Sequence, residues 1–195
     1  MRAIIVLDNI DFFYQDDDYI VGIESSALTL ESADIKCDLV IGDFDSCTEE
    51  EIALIKANYK YIELDSMKDD SDTEYAVKYL INEGYDDIVI LGGLGKRFDH
   101  SIVNYLLVYK YGITIHDNHN VIYRLDTGGY IQQSSYKYLA VFALEEAVIT
   151  LSGVKYPLTD RVIDKHTTYT VSNEAIDGVF WIKVEGSVVV IESKD

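Results

Sequence analysis

Leu39-Val40-Ile41-Gly42-Asp43-Phe44-Asp45-Ser46 is the stretch from which the rest of this chain can be read. Three apolar residues predict a buried strand, Gly42 frees the backbone at its end, and two carboxylates follow at spacing i, i+2. In extended chain that spacing turns Asp43 and Asp45 the same way and Phe44 the opposite way. Two carboxylates aimed at one point repel each other unless a cation lies between them. Oxygen-only ligands suit Mg²⁺, which takes one or two protein carboxylates and completes its shell with water and phosphate. The end of a strand is also where open α/β sheets hold their ligands. Taken alone, the stretch could equally be a solvated acidic turn.

Two further clusters favour the metal reading. Lys68-Asp69-Asp70-Ser71-Asp72-Thr73-Glu74 leads into a helical pattern ended by Gly84. Ser71 and Glu74 fit an S-x-x-E capping box, and acidic residues suit a first helical turn. Capping does not require Asp69, Asp70 and Asp72 together. The third cluster, Gly92-Gly93-Leu94-Gly95-Lys96-Arg97-Phe98-Asp99-His100, follows the apolar run 88–91. Glycines after a strand let backbone N–H groups approach phosphate, and Lys96 and Arg97 supply counter-charge. The run fails the P-loop pattern, because Arg97 stands where Ser or Thr is needed. It also fails the dinucleotide fingerprint, because Phe98 stands where the third glycine should be. What remains suits a Mg²⁺-bound polyphosphate.

The bulk composition narrows the partners. The chain has 195 residues, enough for one domain or two small ones, and 48% of them are hydrophobic, as in folded globular proteins. With 35 acidic against 16 basic residues the net charge is −19, which argues against a nucleic-acid backbone as partner. The same field favours the approach of a cationic small molecule. Cys37 and Cys47 form no C-x-x-C pattern and are expected to be reduced thiols. The N-terminal apolar run, residues 3–7, is too short for a signal peptide or a membrane span, so a cytoplasmic protein with no membrane partner is expected.

Strand-like and helix-like runs alternate up to about residue 116. Strands are expected at 3–7, 19–23, 39–41, 61–64, 88–91 and 113–115, and helices near 25–31, 49–58, 71–83 and 101–111. That alternation predicts an α/β region, a mostly parallel sheet flanked by helices. Afterwards the segments 121–125, 130–132, 138–144, 147–151, 167–172, 179–185 and 187–192 are short and rich in β-branched and aromatic residues. Turn signals at 127–129, 152–153 and 185–187 separate them, predicting a C-terminal antiparallel β-sandwich or barrel. Two domains are expected, 1–118 and 119–195.

The chain resembles the bacterial thiamin pyrophosphokinase (thiamin diphosphokinase) family. Four segments carry the resemblance: Ile41-Gly42-Asp43-Phe44-Asp45-Ser46; Lys68-Asp69-Asp70-Ser71-Asp72; Gly92 to His100 with Asn104; and Leu151-Ser152-Gly153-Val154-Lys155-Tyr156-Pro157-Leu158 with Val171-Ser172-Asn173-Glu174. The resemblance implies an α/β catalytic domain that binds ATP and Mg²⁺, followed by a β-sandwich that binds thiamine and forms a homodimer. It implies transfer of the β,γ-diphosphate of ATP to the thiamine hydroxyl, with release of AMP. Asp43, Asp45, Asp69 and Asp72 would form the Mg²⁺–phosphate site, with Asp99 as a further catalytic carboxylate. Glu24, Ser46, Arg97, His100 and Asn104 would line the ATP side, and Tyr156, Ser172 and Asn173 the thiamine side. One region departs from the family pattern: Glu24 replaces an Asp, and Ser26 stands where relatives carry glycine, which puts the ATP contact there in question.

Two rival readings remain. A pyrophosphokinase acting on another heterocyclic alcohol, such as a pterin, would keep the phosphate site and change the sandwich. A non-catalytic thiamine or nucleotide sensor would not need all four acidic positions together with Arg97.

Overall fold

Runs such as Ala3-Ile4-Ile5-Val6 and Leu39-Val40-Ile41 are apolar at every position, and none of these residues is more than 2% exposed. Strands covered on both faces are the mark of a parallel sheet between helix layers. The computed structural model describes residues 1–8, 14–67, 69–95 and 97–194. The chain forms two compact units, Met1–Asn104 and Tyr105–Asp195.

In the first unit, β1 (Arg2–Val6), β2 (Tyr19–Ile23), β3 (Leu39–Gly42), β4 (Tyr61–Glu63) and β5 (Asp87–Leu91) alternate with α1 (Ser26–Ser32), α2 (Glu49–Asn58) and α3 (Asp72–Asn82). Helix α4 (Phe98–Tyr111) follows β5 and contains the division between the units. The strands are parallel in the order β5-β1-β2-β3-β4. The chain thus winds outward from β1 to β4, then returns through α3 to pair β5 with the other side of β1. Such a reversal opens a crevice beyond the carboxyl ends of the two central strands. Here those ends are Leu7-Asp8 and Gly92-Gly93.

The helix starts follow local chemistry. Thr48 and Glu51 form a full capping box on α2, each side chain bonding the other's backbone N–H. Ser71 accepts the Glu74 N–H at 3.1 Å and caps α3. The Glu74 carboxylate lies 3.5 Å from Lys78, so the expected box on α3 is anchored from the Ser71 side.

The second unit is antiparallel throughout. It comprises β6 (Thr114–His116), β7 (Asn120–Gln133), β8 (Tyr138–Phe142), β9 (Ala147–Ser152), β10 (Leu158–Ile163) and β11 (Val179–Ser193). Along one edge β11 pairs with β7 for its whole length; along the other it pairs first with β9 and then with β8. Phe180, Ile182, Val184, Val188 and Val190 point from β11 into a core shared with Leu139 and Val141 of β8 and Ile149 and Leu151 of β9. The ladder therefore folds over onto itself as a β-sandwich. No helix among the described residues is long and apolar enough to cross a membrane.

Three expectations from local sequence are corrected. Gly128-Gly129 is not a turn, because both residues lie within β7, paired with Val184 and Lys183 of β11. Gly186 likewise interrupts β11 only as an irregularity in register between Val184 and Ser187. A diglycine has a local turn preference, but the long cross-strand ladder overrides it. Residues 167–172 form no strand; the backbone bond between them and β8 is a single one, from the Val141 N–H to the Thr170 carbonyl at 2.9 Å. The strand lies earlier, at β10. The expected boundary at 118/119 falls in the tight connection between β6 and β7, where the Asp117 N–H donates to the Asn120 carbonyl.

Ile182 is fully buried, with Tyr130 and Leu151 as its cross-strand partners. Ile182→Ala should destabilise the protein by about 2–5 kcal/mol, the range for deleting a large core side chain. A urea titration would show this as a lowered midpoint, with an unchanged far-UV spectrum before the transition.

Candidate active site

Strand β3 ends at Gly42, and Phe44 takes a φ of 59°, so residues 43–45 turn instead of extending. The alternating-face argument for Asp43 and Asp45 therefore fails on geometry. The turn drives Phe44 into the core, where it is 4% exposed and clusters with Ala27, Val40 and Ile55. Asp43 stays half-buried, accepting the Asp45 N–H at 3.3 Å, and Asp45 is exposed.

What converges with Asp43 is Glu24, at the end of β2, and Asp72, in the first turn of α3. Each of the three offers one carboxylate oxygen, and these oxygens lie within 4.8 Å of one another. Gly42 makes this possible. Its φ is not positive, so backbone freedom is not its role. A Cβ there would stand 2.6 Å from the Glu24 Cγ, and the Glu24 side chain occupies that space. Glu24 itself carries the left-handed backbone, with φ 51°. Ser26 does not: it starts α1, is buried, and donates its hydroxyl to the Val6 carbonyl at 2.8 Å. The serine that replaces a glycine here thus costs no strain and ties α1 to β1.

Burial holds the Glu24 carboxyl above its ordinary pKa, the Ser46 hydroxyl opposes this, and the charges of Asp72, Asp45 and Asp43 add to the rise. Ser46 donates to Oε2 of Glu24, whereas Oε1 is buried and accepts no hydrogen bond among the described residues. A buried carboxylate oxygen facing other carboxylates is costly unless a cation joins it. The all-oxygen donor set fits Mg²⁺. Of the four expected metal ligands, Asp43 and Asp72 meet with Glu24, Asp45 acts on Glu24 through its charge, and Asp69 is exposed. Asp70 is held by Lys78, with both oxygens at 2.7 Å. Lys68 and Lys96 lie outside the described residues.

Next to this cluster in sequence, Thr73 lines a cavity of about 260 Å³ together with Asp8, Gly93, Arg97, His100 and Asn104. It occupies the crevice where the strand order reverses. The Gly93 N–H donates to Asp8 at 3.1 Å, and the Asn104 amide donates to the Gly93 carbonyl at 2.8 Å. Gly93 has φ 77°, and a Cβ on it would lie 2.5 Å from the Asn104 amide nitrogen, so glycine is required for this close packing. Asn104 is buried and shapes the loop, while His100 is exposed. Arg97 pairs with Asp99 at 2.6 Å, and its hydrogen bond holds the Asp99 carboxyl below the usual range. Both side chains are largely exposed, so the pair is weak and can open to an anion. Asp8 is absent from the sequence-based site. The available signal was its position directly after the first apolar run, residues 3–7, much as Glu24 and Asp43 follow their strands.

In the second unit Asn173 is buried and its amide bonds from both ends. Oδ1 accepts the Tyr156 and Glu174 N–H groups at 3.0 Å, and Nδ2 donates to the Tyr156 carbonyl at 2.8 Å. Asn173 therefore fixes Tyr156. Ser172 is exposed, with φ 55°. Tyr156 is 57% exposed, so its ring is a presented surface and not a core element.

Comparison with known proteins agrees with this arrangement of two units. The thiamin pyrophosphokinase catalytic domain matches residues 11–123, and the thiamin pyrophosphokinase vitamin B1 binding domain matches residues 129–189. The chain belongs to the thiamin pyrophosphokinase family. A thiamine pyrophosphokinase of Bacillus subtilis (strain 168) is 32% identical over 187 residues, covering 90% of this chain and 87% of the relative. The crystal structure of a thiamin pyrophosphokinase family protein from Enterococcus faecalis superposes with a TM-score of 0.89 at 29% identity, covering 100% of this chain and 99% of the other. A thiamin pyrophosphokinase from Geobacillus thermodenitrificans gives 0.87 at 30%, covering 100% and 98%. As a member of the thiamin pyrophosphokinase family, the chain is a pyrophosphotransferase with thiamine diphosphokinase function.

Gly42→Ala isolates the carboxylate cluster from the fold, because an extended backbone accepts alanine and only Glu24 must move. Titration calorimetry with Mn²⁺ or Mg²⁺ should show affinity weakened about 10–100-fold, the scale of losing support for a metal ligand. The melting temperature should change little.

Proposed function

We propose that the protein transfers the β,γ-diphosphate of ATP to the hydroxyl of thiamine, using Mg²⁺, and releases AMP. The observation that supports this most is the meeting of Glu24, Asp43 and Asp72 at strand ends, joined through Thr73 to the crevice containing Arg97. Glu24, Asp43 and Asp72 would hold the cation, with Asp45 and Asp69 close in sequence. Bound there, Mg²⁺ would supply charge neutralisation for the phosphate oxygens.

The remaining work falls to positioning and charge. The thiamine hydroxyl oxygen attacks the β-phosphorus, and the bond from that phosphorus to the α,β-bridging oxygen breaks. Arg97 is suited to clamp a phosphate through two parallel N–H donors once it releases Asp99. Asp99 is held ionised by that arginine in the paired state and becomes a more basic proton acceptor once Arg97 turns to the phosphate. Thr73 and Asn104 shape the nucleotide crevice, and His100 lies at its exposed side. Tyr156 would present an aromatic face to the cationic thiazolium, with Asn173 holding it and Ser172 beside it. The domain roles follow: residues 1–118 catalytic, 119–195 for thiamine binding and dimerisation. A cytoplasmic homodimer completes the proposal, in keeping with two free cysteines, of which burial pushes the Cys37 thiol up to about 11.

Incubation with ATP, Mg²⁺ and thiamine should yield AMP and thiamine diphosphate in equal amounts, read by chromatography. ADP as co-product would instead mean ordinary γ-phosphoryl transfer and overturn the mechanism. Light scattering should give twice the chain mass.

Tyr156→Ala should raise the KM for thiamine about 2–30-fold, the scale of cation–π attraction, and leave the KM for ATP unchanged. Because the ring is more than half exposed, the melting temperature should barely move.

A further inference from the structure

The glycine loop after β5 is built around a carboxylate. Gly92 has φ 83°, and a Cβ on it would lie 2.7 Å from the Asp8 Cβ and 2.9 Å from its Oδ2. The Gly93 N–H donates to that same Oδ2 at 3.1 Å, and the Gly95 N–H donates to the Ser101 hydroxyl at 3.0 Å. Both N–H groups are thus engaged within the protein and form no cradle for phosphate, contrary to what glycines after a strand suggest. The glycines serve close packing instead: Gly92 makes room for Asp8 as Gly93 does for Asn104. Asp8 is half-buried and lines the crevice of about 260 Å³ together with Arg97 and His100. Among the described residues no donor reaches its other oxygen, Oδ1.

An ionised carboxylate accepts hydrogen bonds and donates none. Placed in a crevice for a polyphosphate, it repels the phosphates and attracts a group that carries donors. ATP has two such groups, the vicinal hydroxyls of ribose and the amino group of adenine. Position decides between them. Asp8 and Arg97 line one cavity, so the group that meets Asp8 lies within a few bonds of the phosphates that Arg97 is suited to clamp. The ribose meets that condition, whereas the amino group lies at the far end of the base. The cavity is also smaller than the about 300–1,000 Å³ of pockets that enclose a whole ligand, so it takes only part of the nucleotide. An acidic side chain reads a ribose hydroxyl in the same way in dinucleotide-binding sheets. We infer that Asp8 is a specificity-determining residue for the nucleotide, its Oδ1 accepting a hydrogen bond from a ribose hydroxyl of ATP, so that ribonucleotides are selected over deoxyribonucleotides. This rests on the reading of the protein as an ATP-dependent thiamine diphosphokinase and adds to it the direction of the nucleotide. The ribose lies against the end of β1, and the phosphates run towards Arg97 and the carboxylate cluster.

The test compares wild type with Asp8→Asn, which keeps an amide oxygen for the Gly93 N–H and loses the second acceptor. Steady-state assays with thiamine and Mg²⁺ use ATP, 2′-deoxy-ATP, 3′-deoxy-ATP and inosine triphosphate. Calorimetric titration with the same nucleotides, without thiamine, reads affinity alone. Wild type should favour ATP over at least one deoxynucleotide about 10–150-fold in kcat/KM and in affinity, the scale of a hydrogen bond to a charged group. Asp8→Asn should bring ATP down to the level of that deoxynucleotide, whose own value stays the same, as do the KM for thiamine and the melting temperature. Equal loss for ATP and both deoxynucleotides would reduce Asp8 to an anchor for the loop and overturn the inference. So would a variant that erases preference for ATP over inosine triphosphate alone, which would assign Asp8 to the base. The wild-type comparison stands even if the variant fails to fold: AMP formed from ATP, with both deoxynucleotides used equally well, refutes the inference alone. Wild type that forms no AMP with thiamine and binds none of these nucleotides refutes the functional reading and the inference with it.

Discussion

Glu24 reaches the carboxylates of Asp43 and Asp72 only across the bare backbone of Gly42. Parallel pairing sets Gly22 beside Val40 and Ile23 beside Ile41, so the residues that follow β2 and β3 leave the sheet side by side. A methyl group at position 42 would fill the space that the Glu24 side chain crosses. The longer arm of glutamate and the missing side chain of glycine are therefore one feature. The left-handed backbone at Glu24 and Phe44 belongs to it as well, since each turns the chain off its strand directly beyond the sheet.

That convergence sets the electrostatics of the first unit. Burial above all, and then the like charges brought together there, raise the pKa of Glu24 and favour a hard cation. The neighbouring residues resolve the rest of the acidic run by separate means. Lys78 neutralises Asp70, Ser71 caps α3, and Asp69 remains in solvent. The basic groups needed for a polyphosphate are few in a chain of net charge −19, so Arg97 matters disproportionately. Its exposed pairing with Asp99 keeps it available at little cost.

The second unit works through backbone, not charge. One amide side chain, Asn173, satisfies both the N–H and the carbonyl of Tyr156, holding an exposed aromatic residue at a fixed place beside an apolar cavity. The segment that carries Asn173 follows β8 through isolated bonds, and Ser172 takes a positive φ between them. This explains why residues 167–172, with three threonines, a tyrosine and a valine, do not continue as a strand. The side chains of Tyr169, Thr170 and Val171 line a cavity instead of a sheet face.

The sequence by itself determined the parallel α/β region, the β-rich half that follows, and the family. Buried parallel strands need unbroken apolar runs, and helix starts need caps such as Thr48 and Ser71; both are local demands visible in order along the chain. Asp43 and Asp72 were legible for the same reason, each standing next to such an element. Tertiary structure alone decided that Glu24 joins them, that Asp69 does not, that Asp8 faces the glycine loop, and that Asn173 holds Tyr156. It also decided that Gly128-Gly129 continues a strand. Each of these depends on which strand lies beside which and on the space a neighbour leaves empty. Such distances are set by pairing between residues far apart in the chain, and local preference carries no record of them.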